Sequence, residues 1–308
     1  MSALHRRAFM TAAAAAVAVP HVAGAREIAP GMDWATMSLD QHNFAFNNTM
    51  HVGLDVARGK AEVWTAESAK LRAQRPQHLD LPYASGERTK WDLFPAADAK
   101  APCLVHIHGG YWQRNSRQTF SCLSEGALAR GWSAALPGYT LAPDATLTQI
   151  TQELRTALDW LAANGSAHGI AGPIIISGWS AGGHLTAFLL DHPRVAAGMS
   201  ISGVFELAPL RDSPHVQDKV RLTEVEIETL SPMRLPPANK PLAVAYGTAE
   251  LPAMIQTSRD YHAYRSQLHL PGPLVPIAKA NHFTILDELR SPNSVMTRTA
   301  MQLADDIV

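Results

Sequence analysis

Residues 172–190 read GPIIISGWSAGGHLTAFLL, and this stretch decides the fold. Ile174, Ile175 and Ile176 form a short β-branched run opened by Gly172-Pro173. Such a run suits a central strand buried on both faces of a parallel sheet. Ala181 to Leu190 follows as a predicted helix. Between strand and helix lies Gly178-Trp179-Ser180-Ala181-Gly182, a G-x-S-x-G sequence in the strand-turn-helix setting that gives the motif its meaning. The glycines have a physical reason. A strand that becomes a helix within a few residues brings backbones together, and a Cβ at either flank obstructs the turn. Ser180 is therefore the expected nucleophile. The competing reading is a small-residue turn that only packs a helix on a sheet.

Upstream, Ala101 to His108 is a second buried strand, ending in His108-Gly109-Gly110-Tyr111-Trp112. Glycines after such a strand let the backbone aim its amides at a ligand, so Gly110 and Tyr111, with Ala181, are the expected oxyanion-hole donors. His108 is expected to anchor the loop, and the His106/His108 pair is not expected to bind metal. Further upstream, His78 to Tyr83 and Glu87 to Phe94 predict an antiparallel hairpin at the sheet edge. Residues 26–76 predict an N-terminal arm over the domain, helical from Asp55 to Leu71.

Between these strands and the serine lie a strand over Gly131 to Tyr139 and a helix. Its apolar stripe is Leu147, Ile150, Leu154, Ala157, Leu158 and Leu161, and Gly165 is its stop. Downstream come strands over Val195 to Gly203, Pro241 to Gly247 and Pro273 to Ala280, with a helix over Pro252 to Leu268. Residues 204–240 are proline-rich and weakly periodic, and predict a small helical, cap-like insertion beside the site. The loops after the last two strands carry Glu250 and Asn281-His282-Phe283. Alternating strands and helices predict an α/β domain with a mostly parallel central sheet and helices on both faces.

A serine hydroxyl attacks well only when a base accepts its proton. His282 is the expected base and Glu250 the acid that orients it, giving the chain order nucleophile, acid, histidine. Asp260 and Glu206 are the alternative acids. His184, one turn past Ser180, is expected to pack and hydrogen-bond. Trp112 and Trp179 are expected to line an aromatic substrate pocket, with Trp179 packed behind the turn as the alternative. This chemistry needs neither metal nor organic cofactor.

Lys and Arg number 26 against 27 Asp and Glu, with no basic cluster, which argues against nucleic acid as a partner. The expected partner is a small molecule, with an aromatic one suited to the tryptophans; a homodimer is compatible with the composition. Cys103 and Cys122 supply neither a disulfide framework nor a metal-ligand spacing. Residues 1–25 have the form of an export signal: Arg6-Arg7, an Ala/Val-rich stretch, then Ala23-Gly24-Ala25. The paired arginines resemble a twin-arginine signal. The apolar stretch is too short for a transmembrane helix, which takes about 20 residues. The expectation is a periplasmic or secreted protein, with a cytoplasmic chain carrying a disordered tail as the alternative.

Taken together, the chain resembles the arylformamidase (kynurenine formamidase) branch of the α/β-hydrolase serine hydrolases. The resemblance rests on residues 108–112 (HGGYW), 138–143 (GYTLAP), 178–185 (GWSAGGHL), 202–207 (SGVFEL), and the Glu250 and Asn281-His282-Phe283 segments. Asp33-Trp34 and Phe46-Asn47-Asn48 in the arm share it. The resemblance implies an α/β-hydrolase fold and hydrolysis of an N-formyl aryl amine, such as N-formylkynurenine, through a formyl-enzyme on Ser180. The alternatives are an exported carboxylesterase or carbamate/amide hydrolase and, from another class, a non-catalytic ligand binder.

Overall fold

A computed structural model describes residues 36–305. The predicted export segment, residues 1–25, lies outside them. Eight strands make one sheet in the order β1-β2-β4-β3-β5-β6-β7-β8. They are β1 (Leu81–Pro82), β2 (Lys90–Phe94), β3 (Cys103–Ile107), β4 (Ser133–Pro137), β5 (Ile174–Trp179), β6 (Val195–Ile201), β7 (Leu242–Gly247) and β8 (Leu274–Ile277). β1 and β2 pair antiparallel, as do β2 and β4, and all other pairings are parallel. The predicted hairpin is thus present, trimmed to Leu81–Pro82 and Lys90–Phe94.

The isoleucine run sits at the middle of this sheet. Ile174 and Ile176 join one hydrophobic cluster and Ile175 the other, because successive side chains of a strand leave opposite faces. Cys103 and Val105 of β3 go with the first and Leu104 with the second. Fully burying each such side chain contributes about 1.5–3 kcal/mol. This double burial explains why β5 reads as an unbroken apolar run.

On the first face lie α6 (Leu147–Asn164), α7 (Ala181–Leu189) and α11 (Pro252–Gln267). The predicted stripe of α6, Leu147 to Leu161, is buried throughout, and Thr146 with Gln149 forms a capping box at its start. Gly165 closes the α-helix without reversing the chain: its φ is −55°, and a 3₁₀ turn runs on to Gly169, which takes φ 78°. The second face is covered by α3 (Leu54–Gln74), α5 (Glu125–Ala129) and the C-terminal α12 (Val295–Asp305). Together with α4 (Arg117–Phe120), α5 and α12 go beyond the helices expected from the sequence.

The arm holds α1 (Leu39–Ala45), α2 (Asn48–Val52) and α3. Its anchor is electrostatic as well as apolar. Asp92 of β2 is fully buried and pairs with Arg72 of α3 and Arg117 of α4, and both arginines also meet Asp80. A buried carboxylate is tolerable only when its charge is matched in this way. Residues 204–240 carry α8 (Ala208–Arg211), α9 (Pro214–Val220) and α10 (Glu224–Leu230).

Candidate active site

Ser180 stands between β5 and α7 with φ 58° and ψ −117°. A residue bearing a Cβ adopts this region at a cost of about 1–3 kcal/mol. Two hydrogen bonds hold it: Ser180 N–H donates to Ile201 O (2.8 Å), and His184 N–H donates to Ser180 O (3.0 Å). The flanking glycines interlock. A Cβ on Gly178 would strike the Gly182 carbonyl, and one on Gly182 the Ile107 carbonyl. The structure thus gives both motif glycines the steric role expected of them.

Three further strained residues surround the serine. After Gly110, a glycine at φ 117°, Tyr111 and Trp112 follow at 54° and 57°, and Ser202, after β6, sits at 48°. Bulky residues at positive φ are true outliers, and such strain collects at functional sites. The turn is fastened by Asn115 Nδ2, which donates to Gly109 O (3.1 Å), and by Gln113 and Arg114 N–H, which donate to Gly110 O. Among the described residues, the amides of Gly110, Tyr111 and Ala181 donate to no protein acceptor. Ala181 opens α7, where the first amides point outward without intrahelical partners.

The loops after β7 and β8 bring Glu250 and His282 together. His282 Nδ1 donates to Glu250 Oε2 at 2.8 Å, with both side chains buried. That bond puts the lone pair of the neutral ring on Nε2. The other carboxylate oxygen, Oε1, accepts from Ser202 Oγ (2.6 Å) and Gly247 N–H (2.6 Å), so the glutamate is fixed on three sides. The histidine is fixed as well: Trp179 Nε1–H donates to its carbonyl (2.7 Å), and Asn281 Oδ1 accepts the amides of Phe283 and Thr284. Ser180 and His282 line one cavity of about 190 Å³. Among the described residues no hydrogen bond joins their side chains; contacts of this kind tighten when substrate binds.

The alternative acids are engaged elsewhere. Asp260 accepts from Gln256 on the exposed side of α11, and Glu206 pairs with Arg234. His108 is buried, donates from Nδ1 to Gly109 O and stacks on Tyr139 at 4.4 Å, in keeping with a loop anchor. Burial pushes its pKa down to about 3. Period-two alternation puts His106 on the same strand face, but its Nδ1 faces Ser177 Oγ, and no cluster of three metal-ligating side chains occurs among the described residues. His184 is buried with Nε2 against Leu230 O (2.8 Å), its pKa lowered to about 4 by burial.

The two pocket tryptophans fall on different sides. Trp179 lines the 190 Å³ cavity and also packs behind the turn, so its two readings are one. Trp112 lines a separate cavity of about 10 Å³ with Phe46, Val204, Leu210 and Met254, and Ser180 and Ala181 border it. Sequence reading missed the α3 wall of the larger cavity, which is Leu54, Ala57, Arg58, Ala61 and Trp64. It also missed Ser202, for which the serine-glycine step after β6 was the available signal.

The fold makes the chain an α/β-hydrolase, and the comparisons with known proteins place it among the serine hydrolases. Residues 92–192 match the BD-FAE family model, a span that holds β3, β5 and the serine turn. Within that class the chain is arylformamidase-like: it is 23% identical over 291 residues to kynurenine formamidase of Danio rerio, covering 88% of this chain and 98% of the relative. A solved protein from Silicibacter sp. superposes with a TM-score of 0.73 at 28% identity, covering 84% of this chain and 98% of that one. Esterase B of Lactobacillus rhamnosis superposes at 0.65 with 18% identity, over 80% of this chain and 97% of its own. Among the described residues no helix is long and apolar enough to cross a membrane.

Proposed function

We propose that the protein hydrolyses an aryl formamide of the N-formylkynurenine kind through a covalent formyl-enzyme. Ser180 Oγ bonds to the formyl carbon while His282 Nε2 takes its proton. The carbon–nitrogen bond then breaks, and His282 passes that proton to the departing amine. Water, deprotonated by the same imidazole, attacks the formyl ester, the Ser180 oxygen departs with that proton, and formic acid leaves and ionises to formate in solution. Glu250 holds the ring tautomer and stabilises its cation. The amides of Gly110, Tyr111 and Ala181 receive the oxyanion, each donor worth about 10²- to 10³-fold.

The carrying observation is the inequality of the two cavities beside Ser180. The one bordered by Ala181 has about 10 Å³, close to the space of a single water, while the other has about 190 Å³ and aromatic walls. An acyl group that adds only hydrogen to its carbonyl fits the first, and an aryl amine fits the second. The likeness to kynurenine formamidase over most of the chain supports the same assignment. The likeness to esterase B favours a second reading, an esterase of small acyl groups that runs on the same machinery.

The test is kcat/KM for N-formylkynurenine beside formyl, acetyl and butyryl esters of one phenol. The formamide and the formyl ester should lead and the butyryl ester should trail by at least about tenfold, since a misfit of even one methylene is worth about 1–3 kcal/mol. Good butyryl turnover with negligible formamide hydrolysis would replace the formamidase with an esterase.

A further inference from the structure

The larger cavity beside Ser180 carries a charge pattern that the hydrolytic chemistry does not use. Arg58 on α3 and Arg114 in the loop after β3 both line it. They come from segments 56 residues apart and meet at one cavity, together with Ser180 and His282. Among the described residues no acidic side chain lines that cavity. Among the described residues, other arginines that are at least partly buried are neutralised or spent on carbonyls: Arg72 and Arg117 on aspartates, Arg290 on glutamates, Arg265 on backbone oxygens. Arg58 and Arg114 form no ion pair among the described residues. Asp55 and Glu62 lie within a turn of Arg58 on the same helix, yet neither is paired with it.

Arg114 is also held in place. Its guanidinium lies over the Tyr111 ring, 4.9 Å from the centroid, and its amide is tied to Gly110 O. The Tyr111 ring is itself pinned, because its hydroxyl donates to Phe46 O at 2.5 Å. A guanidinium stacked on a fixed ring is preorganised for a planar anion, and it loses less conformational freedom on binding than a free side chain. Deeper in the same cavity, Trp64, Phe120, Trp179 and Phe283 provide aromatic walls.

We propose that Arg58 and Arg114 recognise a carboxylate on the leaving group, so that the substrate is an aryl formamide whose aromatic amine bears an acid. This rests on the function proposed above, whose N-formylkynurenine-like substrate already bears a carboxylate, and adds to it the residues that read that acid. The ring lies among the aromatic side chains, the formyl group points to the small cavity, and the carboxylate stays at the mouth between the two arginines. Both arginines are exposed, so the acid keeps part of its hydration and the field of the pair also draws the anion in.

The experiment uses the full chain and two kinds of readout. In turnover, N-formyl-2-aminobenzoate is compared with formanilide, which has the same ring and formamide without the acid. The acid should be preferred by about tenfold or more in kcat/KM, mostly through KM, and the preference should shrink as salt rises. Arg58→Gln and Arg114→Gln should each lower that ratio several-fold, and the double variant should bring it near one. In binding, calorimetry on Ser180→Ala protein should show 2-aminobenzoate held more tightly than aniline, with the difference lost in the double arginine variant. Equal kcat/KM for the two formamides, unmoved by either arginine substitution or by salt, overturns the inference while leaving the formamidase in place. Arginine-dependent binding of 2-aminobenzoate without hydrolysis of any formamide upholds the anion site and overturns the formamidase.

Discussion

The sheet and the arm meet at Ser180, and they contribute different things. The ends of β3, β5, β7 and β8 bring in the serine, the histidine, the glutamate and the free amides, each fixed by backbone or buried hydrogen bonds. The arm and the 204–240 insertion bring in walls: Leu54, Arg58 and Trp64 on one side of the serine, Val204 and Leu210 on the other. Rigid strand ends hold reacting atoms to the tolerance that catalysis requires, while pocket shape is set by segments that can change without disturbing them. If this division is right, substitutions of the proposed reacting groups on the sheet side act on kcat, and substitutions of wall residues, whether on the arm or at Arg114, act on KM.

The hardest test of that division is Ser180→Ala. In the proposed role the loss of kcat should be about 10⁴- to 10⁶-fold, with the fold intact, since the change removes one exposed-to-pocket hydroxyl from a 5% exposed residue. Labelling by a fluorophosphonate should vanish with it. A variant that keeps more than a few per cent of wild-type turnover would remove the serine from the chemistry and leave the strained turn without a purpose.

Glu250→Gln comes next. The amide keeps the size of the side chain but holds His282 in the wrong tautomer or leaves Nδ1–H against an NH₂ group, and a loss of about 10⁴-fold in kcat is expected. Asp260→Asn on the exposed face of α11 should leave kcat within a factor of two. If the two variants behave alike, the acid has been misassigned.

How much of this was legible depended on the reach of each signal along the chain. The isoleucine run, the glycines around Ser180 and the stripe of α6 are local patterns, and their burial and turn geometry follow from neighbours within a few residues. Glu250 and His282 were legible at longer range because each lies in the loop after a strand. The walls were not. Arg58 and Trp64 sit on a helix whose apolar pattern is weak, since α3 packs through a few large side chains and an ion pair to Asp92; nothing near them points to a serine more than 100 residues on. α4 and α5 were missed for a similar reason: they are four and five residues long and are held by tertiary contacts, too short to show a helical period.

The scaffold behind the site carries a pH signature that the walls share only in part. His106 and His108 are held neutral by burial, their pKa pushed down to about 3, and His184 to about 4. In the unfolded chain each titrates near 6.5. Below that value the unfolded state binds more protons, so stability is complete above about pH 6.5 and declines as pH falls toward 3–4. Each histidine can contribute up to about 1.4 kcal/mol per pH unit in that window. Tm should therefore be flat from pH 8 to 7 and fall steeply from 6 to 5, and His184→Gln should reduce the slope. On the wall side only His215, against Tyr111, is lowered to about 4. A Tm that is level down to pH 4.5 would mean that these imidazoles are solvated, and that the site is less closed from behind than the geometry describes.

The smallest effect belongs to a bond that ties the two regions together beside the serine, one of several that include Arg72 to Asp92 and His51 to Ala249 O. Tyr111 puts its amide beside Ser180 and its hydroxyl on Phe46 O of the arm, and it also accepts from Asn48 N–H (3.4 Å). Tyr111→Phe keeps the backbone conformation, the ring and the amide, and removes one hydrogen bond from Phe46 O, which still accepts from Asn48 N–H (3.1 Å), at a cost of about 0.5–1.5 kcal/mol. Since the proposed reacting groups are fixed from the sheet side, kcat should change by less than about threefold, while KM rises as the α2–α3 wall loosens. Measuring both constants with Tm separates the alternatives. A fall in kcat of tenfold or more would show that the arm positions the proposed oxyanion amides through this hydroxyl, and the division between chemistry from the sheet and shape from the arm would have to be given up at Tyr111.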